Sequence, residues 1–396
     1  MVFLVESGGA DLPHQLQLYL GAGEIFRDIT ALSAAGIPTV SLVFGNSTAG
    51  GAYLPGTSDY VVMVDQQAKV FLGGTPLVKM ATGEDADEEE LGGASMHSTV
   101  SGVSDYFAAD EHDAIRLGRQ IVHGLTYRKL GPPPDRAVAP PRYDPEELLG
   151  LVSADLKVPF PVREVLARLV DDSEFDEFKP SYGPNLVTGF AHLHGYSVGI
   201  LANDRGVLLN EDANKAAQFI QLANQVDTPL LFVQDVTGYM VGTEYEQRGM
   251  VKHGSHQINA VTNSTVPHLT VQIGGSYGAG NYGMAGRPYN PRFLFVWPNA
   301  KTAVMGAEQL AGTLSIVARA SAEDRGLPFD EEADAARTKA IEDQITHEEQ
   351  AAVMSGQLYD DGLIDPRDTR DVLGVALSAT LTNECRGQRG YGVFRM

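Results

Sequence analysis

The chain has one cysteine, Cys385, among its 396 residues. A single cysteine excludes an intrachain disulfide and any zinc or iron–sulfur site built from several cysteines. Basic residues are also few, since 29 lysines and arginines stand against 51 aspartates and glutamates and give a formal net charge of −22. That excess of negative charge argues against nucleic acid or an anionic membrane as the main partner. The simplest interpretation of the charge is solubility.

Long apolar stretches are missing as well. No apolar run approaches the ~20 residues of a membrane span, and the segment from Met1 to Val5 is too short and uncharged for a signal peptide. Together with the single cysteine, this predicts a cytoplasmic protein. The length of 396 residues and the hydrophobic content of 43% predict about two or three domains with large cores.

Two turns of small residues stand at equivalent places in the two halves of the sequence. In each half a strand-like run is followed by a proline, a second strand-like run and a glycine-rich turn. Gly50–Gly51 lies 12 and 13 residues after Pro38, and Ala279–Gly280 lies at the same distances after Pro267. We therefore predict a duplicated unit of strand, turn and helix start.

Small residues at such a turn favour the binding of an oxygen anion. They let a ligand approach the backbone closely, while the first amides of the following helix have no intrahelical partner. Two outward-pointing amides make an oxyanion hole, and removing one such donor typically costs about 3–4 kcal/mol of transition-state stabilisation. Two holes indicate two oxyanions, and hence two carbonyl-bearing reactants in one reaction.

Prolines separate the two halves. The segment 131–135 contains three consecutive prolines and 139–142 contains two more, and such clusters cannot continue a helix or a central strand. We predict a Pro-rich linker over 131–146, an N-terminal domain over 1–130 and a C-terminal domain over 147–396. Short apolar runs alternate with helical patterns on both sides, which predicts α/β units with parallel strand pairing.

The two halves differ in what precedes the repeat. The second half has strand and helix material from Gly189 to Val226 before its first repeated strand, whereas the first half opens almost at once at Phe3. We therefore expect the first domain to be incomplete at its N-terminus. Either the chain is a fragment, or a second polypeptide supplies the missing layer.

The second turn also fits the G-x-G-x-x-G pattern of a dinucleotide site. Gly278 to Gly283 matches literally, but the acidic residue expected about 20 positions further on is absent from 301–307. The same turn recurs near Gly50 without that spacing, which disfavours a nicotinamide site. Neither turn continues into the Gly-Lys-Ser or Gly-Lys-Thr of a phosphate-binding loop, and neither contains the G-x-S-x-G nucleophile elbow.

Few side chains are convincing acids, bases or nucleophiles. Cys385 lies in a polar tail with nothing to activate it. The remaining candidates are His97, His253, Glu244, Glu246 and Glu308. An isolated histidine is more often a structural hydrogen-bonding residue than a base, and the same interpretation suits the glutamates. The sequence therefore favours a site that relies on backbone amides.

A further distinctive stretch runs from Gly73 to Glu84, between a strand-like run and an acidic helix. One interpretation is a loop that connects two elements. The other is a loop near the mouth of the site, with Lys79 available to an acyl or phosphate group. The sequence leaves both open.

Taken in order, these motifs resemble the carboxyltransferase (β) subunits of biotin-dependent acyl-CoA carboxylases. The likeness covers essentially the whole chain. It rests on Val5–Ala10, Thr48–Tyr53, Phe71–Gly74, Leu77–Glu84, Leu91–Ala94, Gly274–Gly283, Val296–Ala300, Val304–Gln309 and Asp360–Pro366. The versions at 274–284 and 297–300 look more like the methylcrotonoyl-CoA branch than the propionyl-CoA or acetyl-CoA branches. The resemblance implies an α/β fold of two crotonase-like (ββα-spiral) domains related by internal duplication.

The resemblance also implies a reaction. In this family CO2 passes from carboxybiotin, carried by a partner subunit, to an acyl-CoA, here 3-methylcrotonoyl-CoA or a similar branched or unsaturated acyl-CoA. The amides of Gly50 and Gly51 would hold the thioester oxygen as the substrate enolises, and those of Ala279 and Gly280 would hold the ureido oxygen of biotin. Each anion needs its own oxyanion hole, which accounts for the two turns. Because the biotin enolate can take the substrate proton, no side-chain base is required.

The same resemblance implies the surroundings of the two holes and the partners. The cofactor-binding residues expected are Ala49, Ala52, Tyr53, Gly74, Lys79, Thr82, Tyr277, Gly278 and Asn281. No metal is expected in this chain. The implied partners are an acyl-CoA, a biotin carboxylase and biotin carrier α subunit, and further copies of the chain in a β hexamer. Amphipathic segments such as Asn210 to Gln225 fit burial against another subunit or packing within the chain.

The sequence departs from the methylcrotonoyl pattern around 251–256, which leaves the size and branching of the acyl group open. Two alternatives remain. A biotin-dependent decarboxylase or transcarboxylase subunit would run the same half-reaction backwards, without an ATP-dependent biotin carboxylase partner. A non-catalytic structural subunit would pair with a complete β subunit, although a scaffold has no physical need of two intact glycine-rich turns.

Overall fold

The computed structural model describes residues 1–11, 13, 15–126 and 131–392. The chain divides into two compact units, Met1–Arg128 and Lys129–Met396. The predicted domain ends at 130 and 396 lie outside the described residues. The predicted linker falls within the second unit, where the Asp135 amide donates to the Gly195 carbonyl at 2.8 Å. The Asp135 carboxylate in turn accepts from the Ser197 amide at 2.9 Å.

In the described part of the first unit, five parallel strands form one sheet, as the alternation of strands and helices predicted. The strands are β1 (Val2–Ser7), β2 (Val40–Thr48), β3 (Tyr60–Val64), β4 (Lys69–Phe71) and β5 (Tyr106–Ala108). The helices are α1 (Gln15–Ala34), α2 (Tyr53–Gly56), α3 (Thr75–Thr82), α4 (Glu88–Gly92), α5 (Ala94–Met96) and α6 (Glu111–Gly124). The strand order is β1-β2-β3-β5, and β4 pairs with the end of β2. The first four residues of β2 and the last four of β3 are buried, as expected for parallel strands covered on both faces.

The second unit is larger. Its strands are β6 (Phe175–Glu177), β7 (Leu186–Leu193), β8 (Tyr196–Asn203), β9 (Val207–Leu208), β10 (Leu230–Val236), β11 (Gly238–Tyr239), β12 (His268–Tyr277), β13 (Phe293–Val296), β14 (Lys301–Ala303) and β15 (Gly362–Leu363). Its helices are α7 (Leu148–Leu151), α8 (Val162–Leu166), α9 (Asn210–Gln225), α10 (Thr243–Gln247), α11 (Met250–Asn263), α12 (Gly278–Gly283), α13 (Ala307–Asp324), α14 (Glu331–Glu348), α15 (Ala351–Gly356) and α16 (Thr369–Thr380).

Eight of these strands form one mixed sheet in the order β15-β13-β12-β10-β8-β7-β6, with β14 paired to β12, while β9 and β11 pair separately. The prediction of parallel pairing is wrong at one edge, because β7 runs antiparallel to both of its neighbours, β6 and β8. The cause is the turn between β7 and β8. His194 and Gly195 both have positive φ (50° and 76°), and two such residues close a tight hairpin.

The central strand pairs of the two units share one register. In the first unit Val2 lies opposite Val40, and after a register shift Ser7 lies opposite Ser47. Raising every number by 229 gives the pairing of β10 with β12, including the shift that precedes Ser276. After the shift, the end of β2 pairs with β4 and the end of β12 pairs with β14. We call this register shift the bulge. Because it occurs at the same place in both units, the two glycine-rich turns lie at the same position of their sheets.

Helix α9 packs within its own unit. Its residues Phe219 and Ile220 are fully buried and belong to a core cluster that also contains Leu201 of β8 and Phe232 of β10. The sequence had left open whether this amphipathic helix meets another subunit. Its apolar face is used for the intrachain core, as its i, i+3 and i+4 spacing also allows.

A second core cluster of the same unit contains Trp297, which has no exposed surface. Its indole Nε1 donates to the hydroxyl of Thr369 at the start of α16, at 2.8 Å. A buried tryptophan needs such a partner for its N–H group. Among the helices of the described ranges, none is long and apolar enough to cross a membrane.

His268, the first residue of β12, makes the stability of the second unit depend on pH. Its ring lies edge-on against Phe232 at 5.3 Å, and burial lowers its pKa from 6.5 to about 4. In the unfolded chain this imidazole takes up a proton as the pH falls below about 6.5, whereas in the folded chain it does so only near pH 4. The contribution to the free energy of unfolding is therefore complete above pH 6.5 and is lost toward pH 4, by up to about 3 kcal/mol.

Urea unfolding at pH 7 and pH 4.5 measures this dependence. We expect His268→Gln, which cannot be protonated there, to lose less stability than the wild type between the two pH values. Equal losses in the two proteins would contradict the assignment.

Candidate functional site

The first glycine-rich turn begins where β2 ends. A 3₁₀ turn, Ala49–Ala52, follows Thr48 directly and leads into α2. Ala49 has a φ of 54°, a left-handed conformation that is uncommon for a residue other than glycine. Gly50 and Gly51 are the second and third residues of the turn. Their amides therefore lie in the first turn of a helix, where intrahelical acceptors are scarce.

Packing explains which of these positions needs glycine. A Cβ at Gly51 would lie 3.0 Å from Oγ and 3.1 Å from Cβ of Ser7, which is closer than ordinary contact. The carbonyl of Gly51 accepts from the hydroxyl of Ser47 at 2.8 Å. At Gly50 a Cβ would touch only the ring of Phe26, at an acceptable 3.4 Å. Position 51 is thus tightly enclosed and position 50 is not.

The second turn repeats this geometry at the end of β12. Gly278 begins α12 with a φ of 52°, and it lies 229 positions after Ala49, which has nearly the same φ. A Cβ at Gly280 would lie only 2.6 Å from Cγ2 of Val236 and 3.0 Å from Cα of Gly238. No side chain fits at position 280, whereas Ala279 occupies the tolerant position that Gly50 holds in the first turn. Ala279 and Gly280 are the second and third residues of α12, so the helix offers their amides no intrahelical acceptor.

A carboxylate lies beside the bulge of each unit, and sequence reasoning missed both. Oδ1 of Asp235 accepts from the Gly275 amide at 2.8 Å, and burial raises the pKa of Asp235. A side chain at Gly274 would collide with this carboxylate, just as one at Gly45 would collide with Glu6. Positions 6 and 235 also differ by 229. Comparing polar residues that are 229 positions apart in the sequence would have revealed Glu6 and Asp235 as an equivalent pair.

A cavity of about 470 Å³ adjoins the first turn. Ala52 and Tyr53 contribute to its wall, and the ring of Tyr53 packs against Phe26 at 5.6 Å. The remaining lining is mostly apolar: Gly56, Val70, Phe71, Leu72, Gly73, Val78, Leu91, His97 and Val103. The imidazole of His97 contacts the Val70 carbonyl at 2.7 Å and the Ser101 hydroxyl at 2.5 Å. Both ring nitrogens of His97 are therefore engaged in holding the wall together.

The stretch from Gly73 to Glu84 contains helix α3 (Thr75–Thr82), whereas both interpretations of the sequence assumed a loop. Gly74 is the N-cap, Pro76 stands at the start where its missing amide costs nothing, and Gly83 ends the helix with a φ of 76°. Lys79 lies on this helix with 64% of its side chain exposed and pairs with Asp85. The hydroxyl of Thr82 donates back to the Val78 carbonyl at 2.9 Å.

A larger cavity, of about 1010 Å³, adjoins the second turn. Tyr277, the residue before Gly278, lies in its wall, and its hydroxyl donates to Oε2 of Glu349 at 3.1 Å. Lys301 donates to the other carboxylate oxygen at 2.9 Å. Burial and the neighbouring charge of Glu349 raise the pKa of Tyr277, which keeps its hydroxyl protonated. Sequence reasoning missed Lys301 and Glu349, because neither is near the turn in the chain.

The side chains of Asn281 and His253 have structural partners. Asn281 is buried, and its Nδ2 donates to the hydroxyl of Ser276 at 2.7 Å. Nδ1 of His253 lies 2.8 Å from the Asn214 side chain, and desolvation lowers the pKa of His253.

Two of the three candidate glutamates form ion pairs. Glu244 pairs with Arg248, and Glu308 pairs with Lys157. Burial raises the pKa of Cys385 to about 11, which leaves it a poor nucleophile. No cluster of three metal-ligating side chains lies in the described part of the chain.

Comparison with known proteins places these features in context. A profile of the carboxyl transferase domain matches residues 1–392. The chain is 63% identical over all 396 residues to the probable biotin-dependent acyl-coenzyme A carboxylase beta2 subunit of Mycobacterium tuberculosis, of which it spans 75%. It is 47% identical to the biotin-dependent 3-methylcrotonyl-coenzyme A carboxylase beta1 subunit of the same organism, over 100% of this chain and 75% of that one. The beta subunit of P. aeruginosa geranyl-CoA carboxylase is similar with a TM-score of 0.82 at 44% identity, over 99% of this chain and 74% of that structure.

Proposed function

Because the chain belongs to the carboxyl transferase family, as a carboxyltransferase subunit of the biotin-dependent acyl-CoA carboxylase type, we propose that its substrate is 3-methylcrotonoyl-CoA or a similar branched, unsaturated acyl-CoA. The relatives that match at 44–47% identity include one named for 3-methylcrotonyl-CoA and one for geranyl-CoA, both branched and unsaturated acyl groups. The wall of the first-unit cavity fits such a group, since an apolar lining favours a hydrocarbon chain over a charged one.

The main support for the proposed mechanism is that the two glycine-rich turns occupy equivalent positions in the two units. Each presents a small residue followed by an enclosed glycine, Gly50–Gly51 and Ala279–Gly280, in the first turn of a helix. Fixed amides of this kind stabilise negative charge as it develops, because they need no reorganisation during the reaction. We assign the first pair to the thioester oxygen of the acyl-CoA as the acyl group loses a proton from the carbon conjugated with the carbonyl through its double bond, and the second to the ureido oxygen of biotin.

The surroundings of the second turn fit a bound biotin group. Its adjoining cavity has the volume of a small-molecule site. Tyr277 and Gly278 would contact the group, while Asn281 supports the turn from inside. Carboxybiotin, carried by a partner subunit, would supply the CO2, and the biotin left after that loss would accept the substrate proton, so no side chain of this chain has to act as the base.

Residues around the first turn would hold the CoA thioester. Ala49, Ala52 and Tyr53 form the turn and the cavity wall, and Gly74 starts α3 beside it. On α3, Lys79 and Thr82 are the polar side chains we assign to the CoA moiety. The ion pair of Lys79 with Asp85 is exposed on both sides. Exposed pairs are weak, so a CoA phosphate can replace the carboxylate.

We further propose that the chain assembles with a biotin-carrying α subunit and with copies of itself, in a β hexamer. Exposed apolar side chains on α13 support a subunit contact there, since Ile316 and Val317 are 71% and 59% exposed. We also infer that the two units are crotonase-like and arose by duplication. The shared register at an offset of 229 residues supports that inference.

A CO2-fixation assay tests the substrate assignment. The chain is assembled with biotin-charged α subunit and supplied with ATP, labelled bicarbonate and one acyl-CoA at a time. We expect the highest kcat/KM with 3-methylcrotonoyl-CoA, and values lower by about tenfold or more with propionyl-CoA and acetyl-CoA, because each apolar group missing from a pocket weakens transition-state binding. Omitting ATP should abolish turnover.

Two outcomes would contradict the proposal. Transfer that needs no ATP and runs from a carboxylated acyl-CoA would point to a decarboxylase or transcarboxylase subunit. No turnover on any acyl-CoA, together with stable binding to a complete β subunit, would leave a structural role.

A further inference from the structure

We infer that Gln234, Ser276 and Asn281 are positioning residues that hold the second turn in its active geometry, and we call these three residues the polar clamp. Nδ2 of Asn281 donates to the hydroxyl of Ser276 at 2.7 Å, that hydroxyl donates to Oε1 of Gln234 at 2.6 Å, and Nε2 of Gln234 donates to the Met284 carbonyl at 2.6 Å. The exposed fractions of the three side chains are only 0%, 0% and 5%. The inference rests on the proposed function of the second turn as the biotin-side oxyanion hole.

The polar clamp surrounds the segment that carries the amides of Ala279 and Gly280. Ser276 stands just before the turn and Asn281 just after Gly280, so one hydrogen bond ties the two ends of the six-residue segment together. Gln234, on β10, links this segment to the residue that follows α12. The amides of Ala279 and Gly280 therefore cannot shift without breaking a hydrogen bond that is shielded from water. Buried networks that are fully satisfied are rigid for this reason.

A second contact fixes the far end of α12. Nε2 of Gln257, on α11, donates to the Gly283 carbonyl at 2.8 Å, and Oε1 of Gln257 accepts from the Tyr239 hydroxyl at 3.1 Å. A side chain at Gly283 would collide with that hydroxyl. Helix α12 is thus held at both ends by side chains from neighbouring elements.

The first turn lacks the polar clamp although its backbone is equivalent. At the offset of 229 residues, Ser276 corresponds to Ser47, but Gln234 corresponds to Val5 and Asn281 to Ala52. The hydroxyl of Ser47 donates instead to the Gly51 carbonyl. The same strand, bulge and turn therefore form without a polar clamp. The three residues are not needed to build the turn, and their role is to restrict it.

This contrast distinguishes positioning from folding. A rigid oxyanion hole suits a ligand of constant shape, such as the ureido group of a cofactor. A misplacement of about 1 Å in a catalytic geometry can lower the rate about a hundredfold. The substitution Asn281→Ala gives the second turn the residue that the first turn carries at this place. Ser276→Ala removes the central hydroxyl and leaves the other two side chains in place.

The test combines kinetics with amide hydrogen exchange, on the chain assembled with biotin-charged α subunit. For Ser276→Ala and Asn281→Ala we expect kcat to fall by about tenfold or more, while the KM for acyl-CoA changes by less than about twofold. Exchange of the amides of 277–283 should become faster, and exchange over 49–53 should stay unchanged. The double variant should lose no more kcat than the worse single variant, because both break one network.

Thr188→Val is the matched control. Its hydroxyl is buried in β7 of the same unit and donates to the Phe178 carbonyl at 3.0 Å, away from the turn. It should lower Tm while kcat and exchange over 277–283 stay at wild-type values. Unchanged exchange at the turn in the clamp variants, or a fall in kcat equal to that of Thr188→Val, would overturn the inference. If the wild type turns over no acyl-CoA, the proposed function fails, whereas the exchange measurement still decides whether the clamp restricts the turn.

Discussion

Gly280→Ala is expected to lower kcat by about a hundredfold or more, the effect of losing one donor from an oxyanion hole. The added methyl group would lie 2.6 Å from Val236 and 3.0 Å from the backbone at Gly238, so the backbone of the turn has to move. Gly51→Ala should cost less, because the nearest contacts of its methyl group, Oγ and Cβ of Ser7 at 3.0 and 3.1 Å, are longer and involve a side chain rather than the backbone. Turnover in the CO2-fixation assay should thus fall more for position 280 than for position 51.

Gly312→Ala controls for the general effect of adding a methyl group. Gly312 lies inside α13, and nothing lies within 4 Å of the place where its Cβ would stand. Alanine is also the better helix former there. The variant should be folded and fully active. Comparable turnover in Gly280→Ala and Gly312→Ala, with both proteins folded by circular dichroism, would exclude the second turn as an oxyanion hole.

Asp171→Ala is expected to destabilise the second unit strongly. Asp171 has no exposed surface and forms an ion pair with Arg370 of α16 at 2.7 Å. Its carboxylate also accepts from the amides of His194 and Gly195, at 3.0 and 2.7 Å. Removing one partner leaves a buried guanidinium without its counter-charge, which typically costs about 3–5 kcal/mol. For a unit of this size, that loss corresponds to a Tm lower by about 10 °C.

The control is an exposed ion pair on the same unit. Asp343 pairs with Lys339 on α14, and more than half of each side chain is exposed. Asp343→Ala should change Tm by about 1 °C or less, because such pairs contribute little. The Asp171 pair is tested further with Arg370→Met, since the double variant should lose less than the sum of the single losses. Equal melting temperatures for Asp171→Ala and Asp343→Ala would contradict the prediction.

The sequence predicted the features that depend on local order along the chain. The prolines at 38 and 267 gave the register of the two turns, because a fixed spacing within one strand-turn-helix unit is visible in the sequence itself. The α/β class followed from the alternation of apolar runs with helical patterns. The backbone at Gly51 and Gly280 is crowded in the structure, in keeping with small residues at both places.

The features that sequence reasoning missed depend on tertiary packing. Lys301 and Glu349 meet although 48 positions separate them, so no short motif joins them. The sequence predicted a loop where helix α3 lies, although the glycines and the proline of this stretch stand at the two ends of the helix, where helices accept them. The antiparallel edge of the second sheet follows from two residues with positive φ, and a histidine at such a position gives no clear signal in the sequence.

The chain has one tryptophan, and it is the fully buried Trp297 of the second unit. Its fluorescence therefore reports on the second unit alone, while the first unit is silent in that measurement. Far-ultraviolet circular dichroism samples helices and strands of both units. A denaturation curve followed by fluorescence and one followed by circular dichroism will coincide only if the two units unfold together.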